Sequence, residues 1–490
     1  MVLLRQLLQD NASEIEAIDT EMDSLRNRIS ALESRRQSVF QQSKELKAPL
    51  SAIRRFPAEL LCAIFLEVAT APAETLFITG RWSHAQAPWA LGHICRRWRA
   101  AALAYRALWS AIYVTELTRL DTIQEQLARA GPTTRLRLFF DNIDSVRDTE
   151  LENALRTVLA TSSRWVAVHF GCVVDYSWTA GLKDAMPLLE RVAMFWYHDD
   201  LPDSLPVDLF ASCPRLRRAQ LVAPDLDAFS ASYEMQWSQL THLRVALSPD
   251  EHVAILKTAT NLIECVLGTS GRSRSDVYPA QNISLPRLRV LRTEDANLLK
   301  LLTAPQLEEL AMWSEMDDGL DVLDVGDILL FLTRSNCALR NLALFHYSAN
   351  SHAIITLLRG LKTVDTLLIT PGPPIDGNPQ TDADWVPALI AELAVQPSNS
   401  EAELLVPRLA TFYLGYDETV VDVADVVLPL AIRAGSTPFN KLCLFSGNGA
   451  RMATFVEHDA LAKLVAVGVD ARWIPADHLS IVEQQWGNFC

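Results

Sequence analysis

The sequence predicts an α/β solenoid that follows a small all-α module and an N-terminal coiled-coil helix. Three observations predict this fold class: a seven-residue apolar repeat at the start, two short amphipathic segments after it, and an apolar pattern that recurs through the remainder. With 490 residues and 49% hydrophobic side chains, the chain is too long for one ordinary core and apolar enough to build several. We therefore expect three parts, which are residues 1–48, 49–114 and 115–490.

The first part carries apolar residues at the a and d positions of successive heptads. These are Leu8, Ile15, Met22 and Ile29 at a, and Leu4, Ile18, Leu25, Leu32, Val39 and Leu46 at d. Asn11, Arg36 and Ser43 interrupt the series, and no glycine or proline occurs before Pro49. A continuous helix is expected, and its apolar seam either joins two copies in a coiled coil or packs back on its own chain.

The second part contains two apolar helical segments separated by a long insert. Pro57 is tolerated in a first helical turn, where its missing N–H would have no partner. A helix after it would carry on one side the apolar residues Leu60, Leu61, Ile64, Phe65 and Val68. A single second helix is expected to do the same with Leu91, Ile94, Cys95 and Trp98. Two short helices cannot bury all of this surface, so a partner is expected to cover some of it.

These residues resemble an F-box, in the divergent form with a long insert found in many mushroom-type fungal proteins. The opening Leu-Pro-x-Glu-Leu-Leu-x-x-Ile-Phe of that family is matched by residues 56–65, with Phe56 in place of the usual Leu. Its Val-Cys-(Arg/Lys)-x-Trp is matched by residues 94–98 and its closing Leu-Trp by residues 108–109, whereas the insert at 69–88 exceeds the usual connection. The resemblance implies docking on the Skp1 adaptor of a cullin-RING ubiquitin ligase. It also implies a set of adaptor-binding residues, which are Phe56, Pro57, Leu60, Leu61, Ile64, Phe65, Ile94, Cys95, Trp98 and Trp109.

The third part repeats three apolar residues with the spacing L-x-x-L-x-L. Twelve copies begin at residues 133, 165, 189, 216, 240, 262, 288, 307, 339, 364, 409 and 439. In such repeats the second and third apolar residues point inward from a short strand, and segments such as 254–258 and 327–333 form covering helices. The pattern resembles irregular leucine-rich repeats. Because the intervals range from 19 to 45 residues, some copies are expected to be chance matches.

Charge is distributed unevenly along a chain whose formal net charge is -15. Residues 49–113 carry 7 basic and 3 acidic side chains, whereas residues 114–490 carry 30 basic and 48 acidic ones. A large acidic segment repels phosphate backbones, so nucleic acid is not an expected partner. The basic island coincides with the docking module, so an acidic partner is expected there.

Targeting signals and cysteine usage bear on the compartment. No apolar run approaches the ~18 residues needed to cross a bilayer, and the N-terminal residues lack the pattern of a signal peptide. The eight cysteines lie at least 33 residues apart, which fits free thiols in a reducing compartment. A cytoplasmic or nuclear protein without a membrane partner is therefore expected.

Motifs for catalysis are missing from the sequence. It contains neither the Gly-x-Ser-x-Gly of a serine hydrolase nor the His-Glu-x-x-His of a zinc protease. His198, which precedes Asp199 and Asp200, is expected in a solvated loop rather than in a metal site. No catalytic, metal or cofactor residue is therefore expected.

The favoured function is a non-enzymatic substrate-recognition subunit, in which the module docks on the adaptor and the repeats bind an unknown target protein. Two alternatives stay open. One is a leucine-rich-repeat scaffold without ligase coupling, and the other is a hydrolase or transferase within residues 114–490.

Overall fold

In the computed structural model the described part of the chain divides into two compact units, one up to Leu108 and the other from Trp109 onward. The structure describes residues 2–47, 53, 56–70, 87–143, 146, 148–173, 176–195, 208–222, 234–269, 282–313, 324–347, 351–371, 385–394, 404–416, 423–435, 437–446 and 455–474. The predicted loop at His198 and most of the insert at 69–88 lie outside these residues. No helix in the described ranges is both long and apolar enough to span a bilayer.

The first unit is entirely helical in its described part. It contains α1 (Val2–Lys47), α2 (Ala58–Thr70), α3 (Ala87–Ile94) and α4 (Arg96–Ala104). The heptad pattern correctly predicts α1 as one uninterrupted helix. Every side chain described from Asn11 to Gln42 is exposed, and this includes the apolar seam.

The second half of the helical module consists of two helices rather than one. Cys95 has an extended backbone (φ -160°, ψ 167°) between α3 and α4, and its Sγ accepts a hydrogen bond from the Trp98 amide (3.5 Å). This bond caps α4 at its N-terminus. The prediction of a single helix through Cys95 is therefore wrong, because apolar spacing alone does not reveal that a residue caps a helix.

The second unit is built on a fourteen-stranded parallel sheet whose strand order follows the chain. Its strands are β1 (Ala111–Val114), β2 (Leu136–Ile143), β3 (Trp165–Val173), β4 (Arg191–Phe195), β5 (Arg218–Val222), β6 (His242–Leu247), β7 (Glu264–Thr269), β9 (Val290–Thr293), β11 (Glu309–Trp313), β12 (Asn341–Tyr347), β13 (Thr366–Pro371), β14 (Thr411–Tyr416), β15 (Lys441–Ser446) and β16 (Asp470–Ile474). A second, two-stranded sheet pairs β8 (Ile283–Ser284) with β10 (Leu302–Thr303). Over the described strands the main sheet is open, because its order begins at β1 and ends at β16.

Helices form many of the crossovers that parallel strands require. They are α5 (Leu120–Ala130), α6 (Thr149–Leu159), α7 (Pro249–Thr258), α8 (Val325–Ser335), α9 (Ser351–Gly360), α10 (Trp385–Leu393), α11 (Val423–Ala434) and α12 (Phe455–Ala466). Short 3-10 helices span Arg106–Trp109, Ser162–Arg164, Ser177–Leu182, Trp237–Gln239 and Ala296–Lys300. Helix α5 packs on α6, and the five helices from α8 to α12 each pack on the next. The unit is thus an α/β arrangement of one large parallel sheet and helices.

The apolar repeats of the sequence lie on the strands of this sheet. In all twelve copies the second and third apolar residues fall on a strand, and in eleven of them these residues occupy the same two rows of the register. These rows run from Val168 and Phe170 on β3 to Leu442 and Leu444 on β15, and most of their side chains are fully buried. Of the twelve copies, only the first departs from this register.

The strand register also corrects the position of the first repeat copy and identifies strand β1, which the pattern missed. Leu138, not Leu136, pairs with Val168, so the first copy is displaced by two residues along β2. Strand β1 was not predicted, although Trp109, Ile112 and Val114 have the same spacing as the other copies.

Three arginines in segments that connect strands form hydrogen bonds to the preceding connecting segment. Arg164 donates to the carbonyl of Thr134 (3.0 Å), Arg334 to that of Leu302 (2.9 Å) and Arg433 to that of Leu393 (2.8 Å). Each carbonyl lies 30 to 40 residues earlier in the chain. Buried carbonyls need a donor, and a guanidinium can serve several of them at once. These bonds therefore link consecutive repeats in addition to the strand pairing.

Two buried histidines make the second unit sensitive to acid. His252 on α7 and His169 on β3 are almost inaccessible to solvent. Burial lowers the pKa of His252 to about 4 and that of His169 to about 3, because a charged imidazole would lose its hydration. Neither ring nitrogen of His252 has a hydrogen-bond partner in the described part of the chain. Both side chains are therefore neutral in the folded protein at neutral pH.

We expect acidification from about pH 7.5 to about pH 5 to cost roughly 2 kcal/mol of unfolding free energy through His252 alone. The unfolded imidazole takes up a proton near its ordinary pKa of 6.5, whereas the folded one resists protonation until about pH 4. The stability is therefore complete above pH 6.5 and is lost as the pH falls toward 4. Urea unfolding followed by circular dichroism at both pH values measures the loss.

The matched variants for this measurement are His252→Gln and His352→Gln. His352 is an exposed histidine on α9, so replacing it should leave the pH dependence unchanged. Replacing His252 should reduce the pH-dependent loss by roughly 2 kcal/mol and leave the part that comes from His169. An unchanged pH dependence in His252→Gln would show that this imidazole does not couple folding to protons.

Candidate functional site

Helix α2 carries two neighbouring rows of apolar side chains. Leu61 and Phe65 are fully buried in the module, where α2 packs on α3 and α4. Leu60, Ile64 and Val68 follow each other at intervals of four residues and remain 52%, 36% and 45% exposed. Residues four apart lie on one face of a helix. Helix α2 therefore presents an exposed apolar row, which a self-contained module does not need.

The interior of the module holds α2 in place. The Phe65 ring lies 4.8 Å from the Trp98 ring, measured between centroids, at an interplanar angle of 54°. The carbonyl of Pro57 accepts the first hydrogen bond of α2 (3.2 Å), and the Arg97 guanidinium donates to the carbonyl of Phe56. These contacts fix the start of α2 against α4, so the exposed row is presented on a supported helix.

The predicted adaptor-binding residues divide into three groups by exposure. Pro57, Leu60, Ile64, Ile94 and Cys95 are exposed, Phe56 and Trp98 are partly buried, and Leu61, Phe65 and Trp109 are buried. The first nine belong to the helical unit, whereas Trp109 belongs to the second unit. There the Arg129 guanidinium lies 4.4 Å from the centroid of the Trp109 ring.

On the second unit, arginines occupy one row of the sheet face opposite the buried leucine rows. Arg137 on β2 pairs with Ala167 on β3, which pairs with Arg191 on β4 and then with Arg218 on β5. Paired residues of parallel strands lie about 4.8 Å apart with their side chains on the same face. We call Arg137, Arg191 and Arg218 the arginine row. None of the three forms an ion pair with a described carboxylate.

Within the described strands β1 to β5, few charges oppose that of the arginine row. Burial is the main reason that the pKa of Arg137 lies below its ordinary value, and the like charge of Arg191 lowers it further. The only carboxylate on this face of the described β1 to β5, Asp141, lies four residues along β2 from Arg137, a separation of about 13 Å. Three guanidinium groups without an ion-pair partner among the described carboxylates therefore lie on one face of the sheet, with Arg191 exposed and Arg137 and Arg218 partly exposed.

Further along the same face, charges are already paired within the chain. Arg292 bridges Glu264 and Glu309, with nitrogen-to-oxygen distances of 2.8 Å to each, and its side chain is only 14% exposed. His242 Nε2 lies 4.0 Å from a carboxylate oxygen of Glu264. Among the described residues of this sheet face, the arginine row differs from Arg292 in that none of its members has a carboxylate partner.

Aromatic rings lie beside the arginine row. The rings of Tyr113 and Phe139 stack at 4.5 Å and 13°, and His169 follows at 5.9 Å from Phe139. A Cβ at Gly171 would come within 2.9 Å of His169 Nε2 and 2.7 Å of Asp141 Oδ1, so a larger residue there would displace these side chains. The rings give the arginine row a rigid apolar flank.

Sequence reasoning missed the arginine row because its members lie 81 residues apart from first to last. A signal was nevertheless available. Arg191 and Arg218 directly precede the second apolar residue of their copies, so aligning the repeats would have placed these two in one column, and Arg137 joins them once the first copy is shifted by two residues. The described residues contain no group of three or more His, Cys, Asp or Glu arranged to hold a metal ion.

Comparisons with known proteins did not identify a family for this chain. No protein-family model matches it, and no curated protein matches it either. The fold and the surfaces define a general class, which is an α/β protein with a large parallel sheet and a helical module that presents an apolar helix face. Any narrower assignment depends on the motif residues and on the geometry described above.

Proposed function

We propose that this chain is the substrate-recognition subunit of an SCF-type ubiquitin ligase. In this proposal the F-box-like module docks on a Skp1-type adaptor, and a leucine-rich-repeat-like solenoid binds a target protein. The observation that carries it is the exposed apolar row of α2, Leu60, Ile64 and Val68, within the stretch that resembles an F-box. A row of this kind on a supported helix is typical of a surface that another protein covers.

The sheet supports the solenoid part of the proposal. Its strands follow the chain in order, and eleven apolar copies share one register. In solenoids each repeat contacts mainly its neighbours, which produces this topology. An extended sheet face of this kind offers a large surface for a protein ligand.

The mechanism in this proposal is positional. The module holds the chain on the ligase while the solenoid holds the target, so that lysines of the target have a high effective concentration near the charged conjugating enzyme. The chain itself supplies no catalytic residue and no cofactor. Target binding and ubiquitination would take place in the cytoplasm or the nucleus, where the ligase and its targets meet.

Size-exclusion chromatography of the purified full chain mixed with a Skp1-type adaptor tests the proposal. Co-elution in a complex of defined stoichiometry is the expected result. Absence of a complex at micromolar concentrations would overturn ligase coupling. A leucine-rich-repeat scaffold would then be the better description of the chain.

A further inference from the structure

We infer that α1 joins two copies of this chain as an antiparallel coiled coil. The seam residues of α1 are exposed over their whole described length, from Ile15 at 60% to Val39 at 55%. A 46-residue helix with such a seam is long enough for a specific pairing. The occupant of the seam is a second α1, and the charges and the polar seam residues determine its direction.

The polar residues of the seam fit an antiparallel pair. Reversing one helix sets each a position against a d position of the second copy. If Met22 faces Leu25 of the second copy, the two helices overlap almost from end to end. Ile15 then faces Leu32, Ile29 faces Ile18, and Arg36 faces Asn11 of the second copy. The two polar residues therefore share one layer, and the layers between them stay apolar.

The charges that flank the seam agree with the same alignment. The g positions of the heptads include Glu14, Glu21, Arg28 and Arg35, and the e positions include Asp19 and Arg26. In an antiparallel pair, g positions lie beside g positions of the second copy, and e positions lie beside e positions. This alignment sets Glu14 beside Arg35, Glu21 beside Arg28, and Asp19 beside Arg26 of the second copy. By symmetry each pair occurs twice, and every one is attractive. Arg26 already pairs with Asp23 at the exposed surface (2.9 Å), a contact that it can exchange for Asp19 at little cost.

A parallel pair fits the same helix poorly. There Arg36 would face Arg36 of the second copy inside the seam, and Glu14 would lie beside Asp19. The attractive contacts that remain are Glu21 with Arg26 and Arg28 with Glu33. Like charges in these positions act against pairing. The antiparallel arrangement therefore has more attraction and avoids a buried like-charge contact.

A charge-swap series in the full chain distinguishes the two directions. We expect sedimentation analysis to show a dimer for the wild type and a dissociation constant raised about tenfold or more for Glu21→Arg. The double variant Glu21→Arg with Arg28→Glu restores attraction in an antiparallel pair, so the dimer should recover. In a parallel pair the same double variant sets Arg beside Arg26 and Glu beside Glu33, so the dimer should weaken further.

Two further measurements complete this test. Glu16→Arg changes an exposed acid on the far side of α1, so the dimer should persist. Mixing an Ile15→Cys chain with a Leu32→Cys chain under oxidation should give a disulfide between the two different sites, identified by mass spectrometry. Same-site disulfides, a double variant that does not recover, or a monomeric wild type would each overturn the proposal.

We also propose that the arginine row binds an acidic segment of a partner protein. This inference concerns the second unit and holds whether or not the chain docks on an adaptor. Like charges placed side by side on β4 and β5 repel each other, and carboxylates of a partner relieve that repulsion. A chain of net charge -15 gains little from a local basic cluster unless a ligand uses it.

The spacing favours a peptide with several carboxylates. The arginine row extends over three strand spacings, about 14 Å, which matches four to five residues of an extended peptide. A single phosphate is better held by donors that converge on one point. The acidic remainder of the unit opposes a long phosphate backbone.

Fluorescence anisotropy with the full chain and a labelled peptide of alternating Glu and Ser tests this proposal. We expect binding that weakens as NaCl rises from about 50 mM to about 200 mM. Reversing two charges in Arg191→Glu with Arg218→Glu should weaken it about tenfold or more. The control Arg215→Glu with Arg287→Glu changes the net charge equally, but at exposed turn residues before strands, and should have a small effect.

Three results would contradict an acidic-peptide surface. The first is equal binding of a peptide in which Gln replaces Glu. The second is tighter binding of a single-stranded oligonucleotide or of a singly phosphorylated peptide than of the acidic peptide. The third is no binding of the acidic peptide at all. Adaptor co-elution should be unaffected by the arginine variants, so this proposal can fail independently of the proposed function.

Discussion

Replacing Leu60 with Asp should lower the affinity for a Skp1-type adaptor by about 100-fold or more. Leu60 is 52% exposed at the start of the exposed row on α2, so the substitution leaves the core of the module intact. Burial of a leucine side chain in an interface contributes about 2 kcal/mol, and an unpaired carboxylate in its place costs several more. A factor of 100 corresponds to about 2.7 kcal/mol. Isothermal titration calorimetry of the full chain with the adaptor measures the change.

The control for this prediction is Leu330→Asp. Leu330 is also an exposed helical leucine, 64% exposed on α8 in the second unit, and its replacement should not affect adaptor binding. Trp98→Ala is a different experiment, because Trp98 packs on Phe65 and its loss would loosen the module. Adaptor binding by Leu60→Asp at wild-type affinity would remove α2 from the interface.

Replacing Arg433 with Met should destabilise the second unit by about 3 kcal/mol. The buried guanidinium donates to the carbonyls of Leu393 (2.8 Å), Leu405 (2.9 Å) and Val406. Burial lowers the pKa of Arg433 to about 10, so the side chain still carries its charge at neutral pH. Met reproduces the apolar stem but leaves the three carbonyls without this donor. The midpoint of urea unfolding measures the loss.

Val406 adds to the cost of this substitution. It is a buried β-branched residue with φ 46°, a backbone conformation that such residues rarely adopt. The hydrogen bond from Arg433 to the Val406 carbonyl helps to hold Val406 in this backbone conformation. Arg408→Met is the matched control, because Arg408 is exposed in the same segment and its loss should change stability by less than about 0.5 kcal/mol. Equal stability of the two variants would show that the buried hydrogen bonds contribute nothing.

Local patterns in the sequence predicted the elements whose signals repeat over short distances. The heptads of α1 and the L-x-x-L-x-L copies on the strands are examples, because the same residue types recur every few positions. The start of α2 directly after Pro57 is another, since proline is compatible with a helix start and not with its interior. Each of these signals is contained within about ten residues and needs no knowledge of distant contacts.

Features that depend on residues far apart could not be predicted in the same way. Both Leu60 and Leu61 are leucines, and only the packing of α3 and α4 decides which one is buried. The break at Cys95 depends on a capping hydrogen bond that apolar spacing does not encode. The first copy was placed two residues too early because the spacing on β2 allows both registers, and only pairing with β3 selects one.

The sequence by itself determined a long helix with an apolar seam, a helix that begins directly after Pro57 and a series of apolar strands. The tertiary structure decided which face of α2 remains on the surface and which arginines stand side by side. The physical reason is the range of the interactions. Side-chain periodicity sets secondary structure locally, whereas parallel register and helix packing join residues that are tens of positions apart.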